Sequence, residues 1–294
     1  MVVIIDKCVG KEKVLAILLT FVLIPFLFQL EHFISVYGIK IAAVGDISCN
    51  FFGKATTHII ANHKPQLVIF LGDLSYNDTS HKCFFDNTKQ LENTSKVLVA
   101  IGNNDETNGT LTEIQEQYKI PSNGYYSYHF DNKDNSTGLI IVMNTELPLT
   151  EGSDQYNFVN KELANSSGYD YKIIATHRPF ISCDCGHPPD PKMNSTYHKL
   201  FDKYNVDLVL SGHNHNYQRF APIDNVTYIV DGLGGADRSP LNPLTDPNLR
   251  YESKFYNAYG YLDLNLTNGI IDGKFVSLPN GVKDNFTLLN DDGK

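Results

Sequence analysis

From residue 39 onward the chain alternates short apolar runs with longer polar stretches of helical periodicity. The apolar runs predict strands at 39–44, 67–71, 97–101, 126–130, 139–144, 172–175 and 208–210, with more at 228–230, 261–266 and 270–276. Between the early strands, residues 54–63, 84–93 and 111–118 have the length and spacing of helices. Strand–helix alternation predicts an α/β fold with a parallel sheet, and the later run of strands predicts a second sheet. No repeat or low-complexity linker divides residues 39–278, which read as one domain. Residues 279–294 read as a polar tail holding at most one short strand.

Residues 1–38 have a different pattern. The stretch 14–30, VLAILLTFVLIPFLFQL, carries no charge and is close to the length that crosses a bilayer. Lys7, Lys11 and Lys13 precede it and Glu31 follows, which predicts an N-inside, C-outside orientation. A buried core helix would show a polar face, and this stretch has none. It reads as a signal segment, either retained as an anchor or cleaved, and the lack of an A-x-A-like site favours the anchor. The expected location is therefore extracytoplasmic, membrane-anchored at the N-terminus or secreted.

Sequons point the same way. N-x-[S/T] occurs at Asn77, Asn93, Asn108, Asn135, Asn165, Asn194, Asn225, Asn265 and Asn285, all beyond the apolar stretch. Chance would give roughly three or four such triplets in a chain this rich in Asn, so the excess predicts a glycoprotein. Cys49, Cys83, Cys183 and Cys185 are an even set that permits two disulfides in three pairings.

Of the 294 residues, 42% are hydrophobic and 19% charged, which excludes wholesale disorder. The net charge of −9 repels phosphate backbones, and with no basic patch to offset it, no nucleic-acid partner is expected. A small phosphorylated ligand would need positive charge from something other than bulk Lys and Arg.

Candidate chemistry sits where the predicted strands stop. Gly45–Asp46 follows the first strand, and Gly72–Asp73 with Tyr76 follows the second, in GDLSY. Gly102–Asn103–Asn104–Asp105 follows the third. His177 closes the strand at 172–175, and Gly212–His213–Asn214–His215 closes that at 208–210. Open α/β sheets gather ligands at the carboxyl ends of their strands, so these distant segments are expected to converge. Together they offer two carboxylates, an amide, a phenol and three imidazoles, a donor set suited to a pair of oxygen- and nitrogen-ligated metal ions.

The ordered set GD46, GDxxY at 72–76, GN at 102–103, His177 and GHNH at 212–215 resembles the calcineurin-like metallophosphoesterases, and their purple acid phosphatase branch in particular. The resemblance covers essentially residues 39–276. It implies a four-layer αββα sandwich of two mixed sheets. It further implies that Asp46, Tyr76 and His215 hold one metal, that Asn103, His177 and His213 hold the other, and that Asp73 bridges them. Ser48 stands where many members of the wider family carry a ligand His, and Tyr76 supplies a phenolate instead. That exchange implies Fe(III) at the Tyr76 site and a divalent Zn, Mn or Fe at the second.

The implied activity is hydrolysis of phosphoesters, phosphomonoesters first, by a metal-activated hydroxide acting on a small phosphorylated substrate. The departure from the pattern is Asn104, which stands where the family usually has a phosphate-contacting His. An amide donates hydrogen bonds but delivers no proton near neutral pH. His187, in CDCGHPPD, is the candidate replacement acid. The alternative is a catalytically impaired surface glycoprotein that binds metal and phosphate.

Overall fold

The structure is a computed structural model that describes residues 38–76, 81–107, 111–184, 186–242, 249–279 and 281–289. The predicted apolar stretch at 14–30 lies outside these residues. Among the described residues, no helix is long and apolar enough to cross a membrane.

Each early apolar run becomes a strand buried on both sides: β1 (Ile39–Val44), β2 (Leu67–Phe70) and β3 (Lys96–Val99). They pair in parallel in the order β1-β2-β3. The connections are α1 (Phe51–His63), α2 (Lys82–Glu92), the short α3 (Asn103–Thr107) and α4 (Leu111–Tyr118). The side chain of Asn50 accepts the free N–H groups of Phe52 and Gly53 at the start of α1, at 2.8 and 3.0 Å. At the other end, Lys64 takes a left-handed conformation that closes the helix.

The second half continues with β4 (Tyr126–Asp131), β5 (Thr137–Val142), α5 (Asp154–Ala164), β6 (Tyr171–Thr176), α6 (Pro191–Lys203) and β7 (Leu208–Ser211). It closes with β8 (Tyr217–Phe220), β9 (Thr227–Asp231), β10 (Tyr251–Phe255), β11 (Gly260–Thr267), β12 (Ile270–Ser277) and β13 (Gly281–Leu289). Two mixed sheets result, β13-β12-β11-β1-β2-β3 and β10-β8-β9-β7-β6-β5-β4.

Side-chain alternation along the strands sorts the core into three apolar layers. Ile41, Ala43, Leu67 and Ile69 face Ile140, Val142, Ile173 and Leu210 between the sheets. Ala42, Val44, Val68 and Phe70 pack outward against Ile60, Phe84, Leu91 and Ile114 from the helices of the first half. On the opposite side, Leu139, Ile141, Ile174 and Val209 pack against Val159, Leu163, Tyr197 and Phe201. The order is helix–sheet–sheet–helix, the expected αββα sandwich.

The C-terminal stretch departs from the sequence reading. Residues 281–289 form a nine-residue strand paired along β12, instead of a polar tail with at most one short strand. Its polar appearance comes from its edge position, where alternate side chains face solvent. Asp284 points inward to the other sheet, accepting from Arg219 Nε and Nη2 at 2.7 and 2.9 Å and from the Tyr217 hydroxyl at 2.9 Å. Cys49 and Cys83 form a disulfide that ties the loop ahead of α1 to the first turn of α2. Cys185 lies outside the described residues.

Candidate metal centre

The carboxyl ends of β1, β2, β6 and β7 meet at one point, with the start of α3 closing the group. The loops approach backbone to backbone, and glycine makes this possible: a Cβ on Gly102 would lie 2.3 Å from Asp73 Oδ1, and one on Gly212 would lie 2.7 Å from the Leu71 carbonyl. Asp46, Asp73 and His213, each just after a glycine, take φ values of 61°, 53° and 67°. Left-handed backbone at non-glycine residues clusters at functional sites, where surrounding structure holds it.

Two groups of donors share Asp73. In the first, the Tyr76 hydroxyl lies 2.7 Å from Asp46 Oδ1, 3.0 Å from Asp73 Oδ2 and 2.9 Å from His215 Nε2. In the second, His177 Nε2 lies 3.2 Å from Asn103 Oδ1, 3.2 Å from His213 Nδ1 and 3.4 Å from Asp73 Oδ1. The two oxygens of Asp73 thus face different groups. Asp73, His177 and His213 can each direct a ligand atom to a common point.

Neighbouring carbonyls orient two of the imidazoles. His177 Nδ1 faces the Leu71 carbonyl at 2.8 Å, and His215 Nδ1 faces that of Asp237 at 2.5 Å. Placing hydrogens on these Nδ1 atoms leaves the Nε2 lone pairs turned into the cluster, as in metal-bound histidines.

This donor set fits metal. One hydroxyl hydrogen on Tyr76 cannot serve three acceptors, and the His177 group is similarly rich in inward lone pairs. The ionisable groups register the same demand for positive charge. Burial alone would lower the His215 pKa, but the hydrogen bond and charge of Asp46 push it up to about 9. Burial would likewise lower His177, and the charges of Asp73 and Asp46 raise it instead. Burial would raise Asp46, yet His215 and His177 hold it below the usual carboxylate range. The Tyr76 phenol is raised by burial and by Asp46 and Asp73, so its ionisation requires added positive charge. Burial and the charge of His177 push His213 down to about 3, leaving it neutral.

The structure also brings Asn104 and His187 to this point. Asn104 is turned onto Asp73: its backbone N–H donates to Oδ1 at 2.8 Å and its Nδ2 to Oδ2 at 2.5 Å. The half-exposed His187 ring sits 4.6 Å from that of His213, centroid to centroid. Its carbonyl accepts from Asn214 Nδ2 at 3.1 Å, and its N–H donates to Asp184 Oδ1 at 3.1 Å.

Four supporting residues were not assigned to the site from the sequence. Asp105 is buried and accepts the N–H groups of Asp73, Leu74 and Gly102 at 2.9, 2.9 and 2.8 Å; burial and the charge of Asp73 raise its pKa to about 7. Its position directly after Asn104 was the available signal. Asp184 accepts from Asn216 Nδ2 and Ser239 Oγ, both at 2.7 Å, and so links the His187 loop to the two loops beside His215. Arg178 makes a two-point pair with Glu146 at 2.7 and 2.9 Å and turns Nη1 toward His213 Nε2 at 3.2 Å. Only adjacency to His177 hinted at Arg178, and nothing local marks Glu146 or Asp184.

Comparison with known proteins agrees with this geometry. Residues 39–217 match the calcineurin-like phosphoesterase family. The chain is 27% identical over 262 residues to purple acid phosphatase 15 of Arabidopsis thaliana, covering 72% of this chain and 48% of that protein. It is 26% identical over 267 residues to the Fe(3+)-Zn(2+) purple acid phosphatase 12 of the same plant, covering 76% and 56%. The chain therefore spans about half the length of these curated relatives. A purple acid phosphatase from yellow lupin (Lupinus luteus) seeds shares the fold with a TM-score of 0.73 at 20% identity, covering 86% of this chain and 54% of that one. The chain belongs to the calcineurin-like phosphoesterase family, in its purple acid phosphatase-like branch.

Proposed function

We propose that the protein is a metal-dependent phosphoester hydrolase with two metal ions, acting by preference on phosphomonoesters. The observation that carries this reading is the division of Asp73 between two inward-facing donor groups. Asp46, Tyr76 and His215 would hold one ion, Asn103, His177 and His213 the other, and Asp73 both. A phenol among the first set favours Fe(III) there, with a divalent ion in the second set. When bound, the ions supply Lewis-acid charge to a phosphoryl oxygen and acidify water.

The remaining work falls to the chain's own side chains. Asp105 holds the Asp73 loop through three N–H groups and keeps its carboxylate aimed between the donor sets. Arg178, fixed by Glu146, places fixed positive charge at the rim, where an anionic substrate enters. His187 carries the exchangeable proton for the leaving alcohol, since Asn104 can donate a hydrogen bond but not release a proton. The net charge of −9 is no obstacle, because charge complementarity is supplied locally.

The engagement of Asn104 with Asp73 favours a second reading, a metal- and phosphate-binding protein of weak turnover. Hydrolysis of an aryl phosphate by the metal-loaded protein, lost in Asp73→Ala, tests the first reading. A fully loaded wild type inert toward monoesters and diesters would overturn it in favour of the second.

A further inference from the structure

Four of the nine sequons share one end of the fold; Asn194, Asn265 and Asn285 lie within α6, β11 and β13, and Asn77 and Asn108 lie outside the described residues. Asn93 lies shortly before β3, Asn135 before β5, Asn165 before β6 and Asn225 before β9. β3 runs parallel to β2, and β5, β6, β7 and β9 run parallel to one another. The donor residues follow the opposite ends of β1, β2, β6 and β7. These four sequons and the donor cluster therefore occupy opposite ends of the sandwich, separated by strands of about 13–20 Å at ~3.3 Å per residue.

All four asparagines are exposed. Asn225, with Asp224, forms the tip of the β8–β9 hairpin, both at positive φ. Asn135 stands at positive φ in the β4–β5 turn. Asn93 and Asn165 cap the last turns of α2 and α5, with Nδ2 donating to the Lys89 and Lys161 carbonyls. One Nδ2 hydrogen survives glycosylation and can keep those bonds. Asn265 differs: it lies in β11 between Lys40 of β1 and Asp272 of β12, and its Oδ1 is buried. Asn265 is only half-exposed on the face of a paired strand, so a glycan there would have to displace the groups that enclose its amide. The Cys49–Cys83 disulfide is an independent sign of an oxidising compartment, where such modification takes place.

We propose that Asn93, Asn135, Asn165 and Asn225 carry N-linked glycans that form a collar around the strand-entry end of the sandwich, opposite the donor cluster. At each site a bond forms between Nδ2 and the anomeric carbon of a lipid-diphosphate-linked oligosaccharide. Nδ2 gives up one proton and the lipid diphosphate leaves. Gly38, where the described chain enters β1, is at the same end, so the collar surrounds the junction with the N-terminal segment.

The test is a site-occupancy map. The full chain, with its own N-terminal segment, is expressed in a eukaryotic secretory host, and the folded fraction is treated with peptide N-glycosidase in heavy-oxygen water. Peptide mass spectrometry then reads which asparagines became labelled aspartates. The expected result is label at three or more of the four positions and none at Asn265. Fewer than three, or label at Asn265, overturns the proposal. The readout needs no catalysis, so it fails or succeeds separately from the hydrolase reading.

Discussion

Asn104 grips both oxygens of Asp73, through its backbone N–H at 2.8 Å and its side-chain Nδ2 at 2.5 Å. The residue in the place of the family's usual His is thus tied to the carboxylate that faces both donor groups. The side chain steadies Asp73 and offers no acid. With the acid role assigned to His187, Asn104→His should therefore raise kcat on alkyl phosphates by about 100-fold when it is placed in a His187→Ala background, within the usual range for a positioned general acid. Aryl phosphates, whose leaving groups need no proton, should change by less than about 5-fold. Steady-state kinetics on a matched alkyl and aryl pair decides it; equal gains on both would show that the acid is not what Asn104 lacks.

His187 depends on Asp184, which accepts the N–H groups of Gly186 and His187 and ties them to Asn216 and Ser239. His187→Ala should lower kcat on alkyl phosphates by about 100-fold with little change in metal content. Asp184→Ala should act in the same direction, and the double variant should be hardly worse than His187→Ala, because the two act as a unit. Additive losses would separate them.

The first sheet's edge is pinned to the second sheet by Asp284 and Arg219, whose side chains are only 7% and 12% exposed. Asp284→Ala strands a guanidinium that also covers the Phe286 ring. The expected loss is about 3 kcal/mol in urea or thermal unfolding, the scale for removing one partner of a buried pair. An effect below about 1 kcal/mol would place β13 outside the cooperative core. Its pairing with Asp284 commits Arg219 to a structural role.

The Cys49–Cys83 bond closes a loop across a sequence separation of 34. Chain entropy gives about 4 kcal/mol for a closure of that size. The Cys49→Ser, Cys83→Ser variant should unfold at correspondingly lower denaturant with its metal content retained. Reduction of the wild type should produce the same shift, and its absence would mean that the bond does not form in solution.

The parts legible in the sequence are those where local pattern and tertiary role coincide. Central strands buried on both faces read as continuous apolar runs, as in 67–70 and 208–211, and the residue after each run falls at the site whatever the rest of the chain does. This is why the sequence pattern alone brings Asp46, Asp73, His177 and His213 together. Edge strands lose that signal: β13 alternates half-buried with exposed positions and reads as polar. Supporting residues lose it too. Glu146 matters because Arg178 reaches it across 32 positions, and the Asp184–Asn216 bond spans the same separation, distances at which sequence pattern carries no information.

Metal stoichiometry tests the central claim most directly. Elemental analysis of the purified, folded protein should give two metal ions per chain, with at least one lost in Asp73→Ala, whose carboxylate faces both donor groups. Iron at the Tyr76 site should add a visible absorption band that Tyr76→Phe removes. A wild type that retains one ion or none after loading and desalting would contradict the two-metal account.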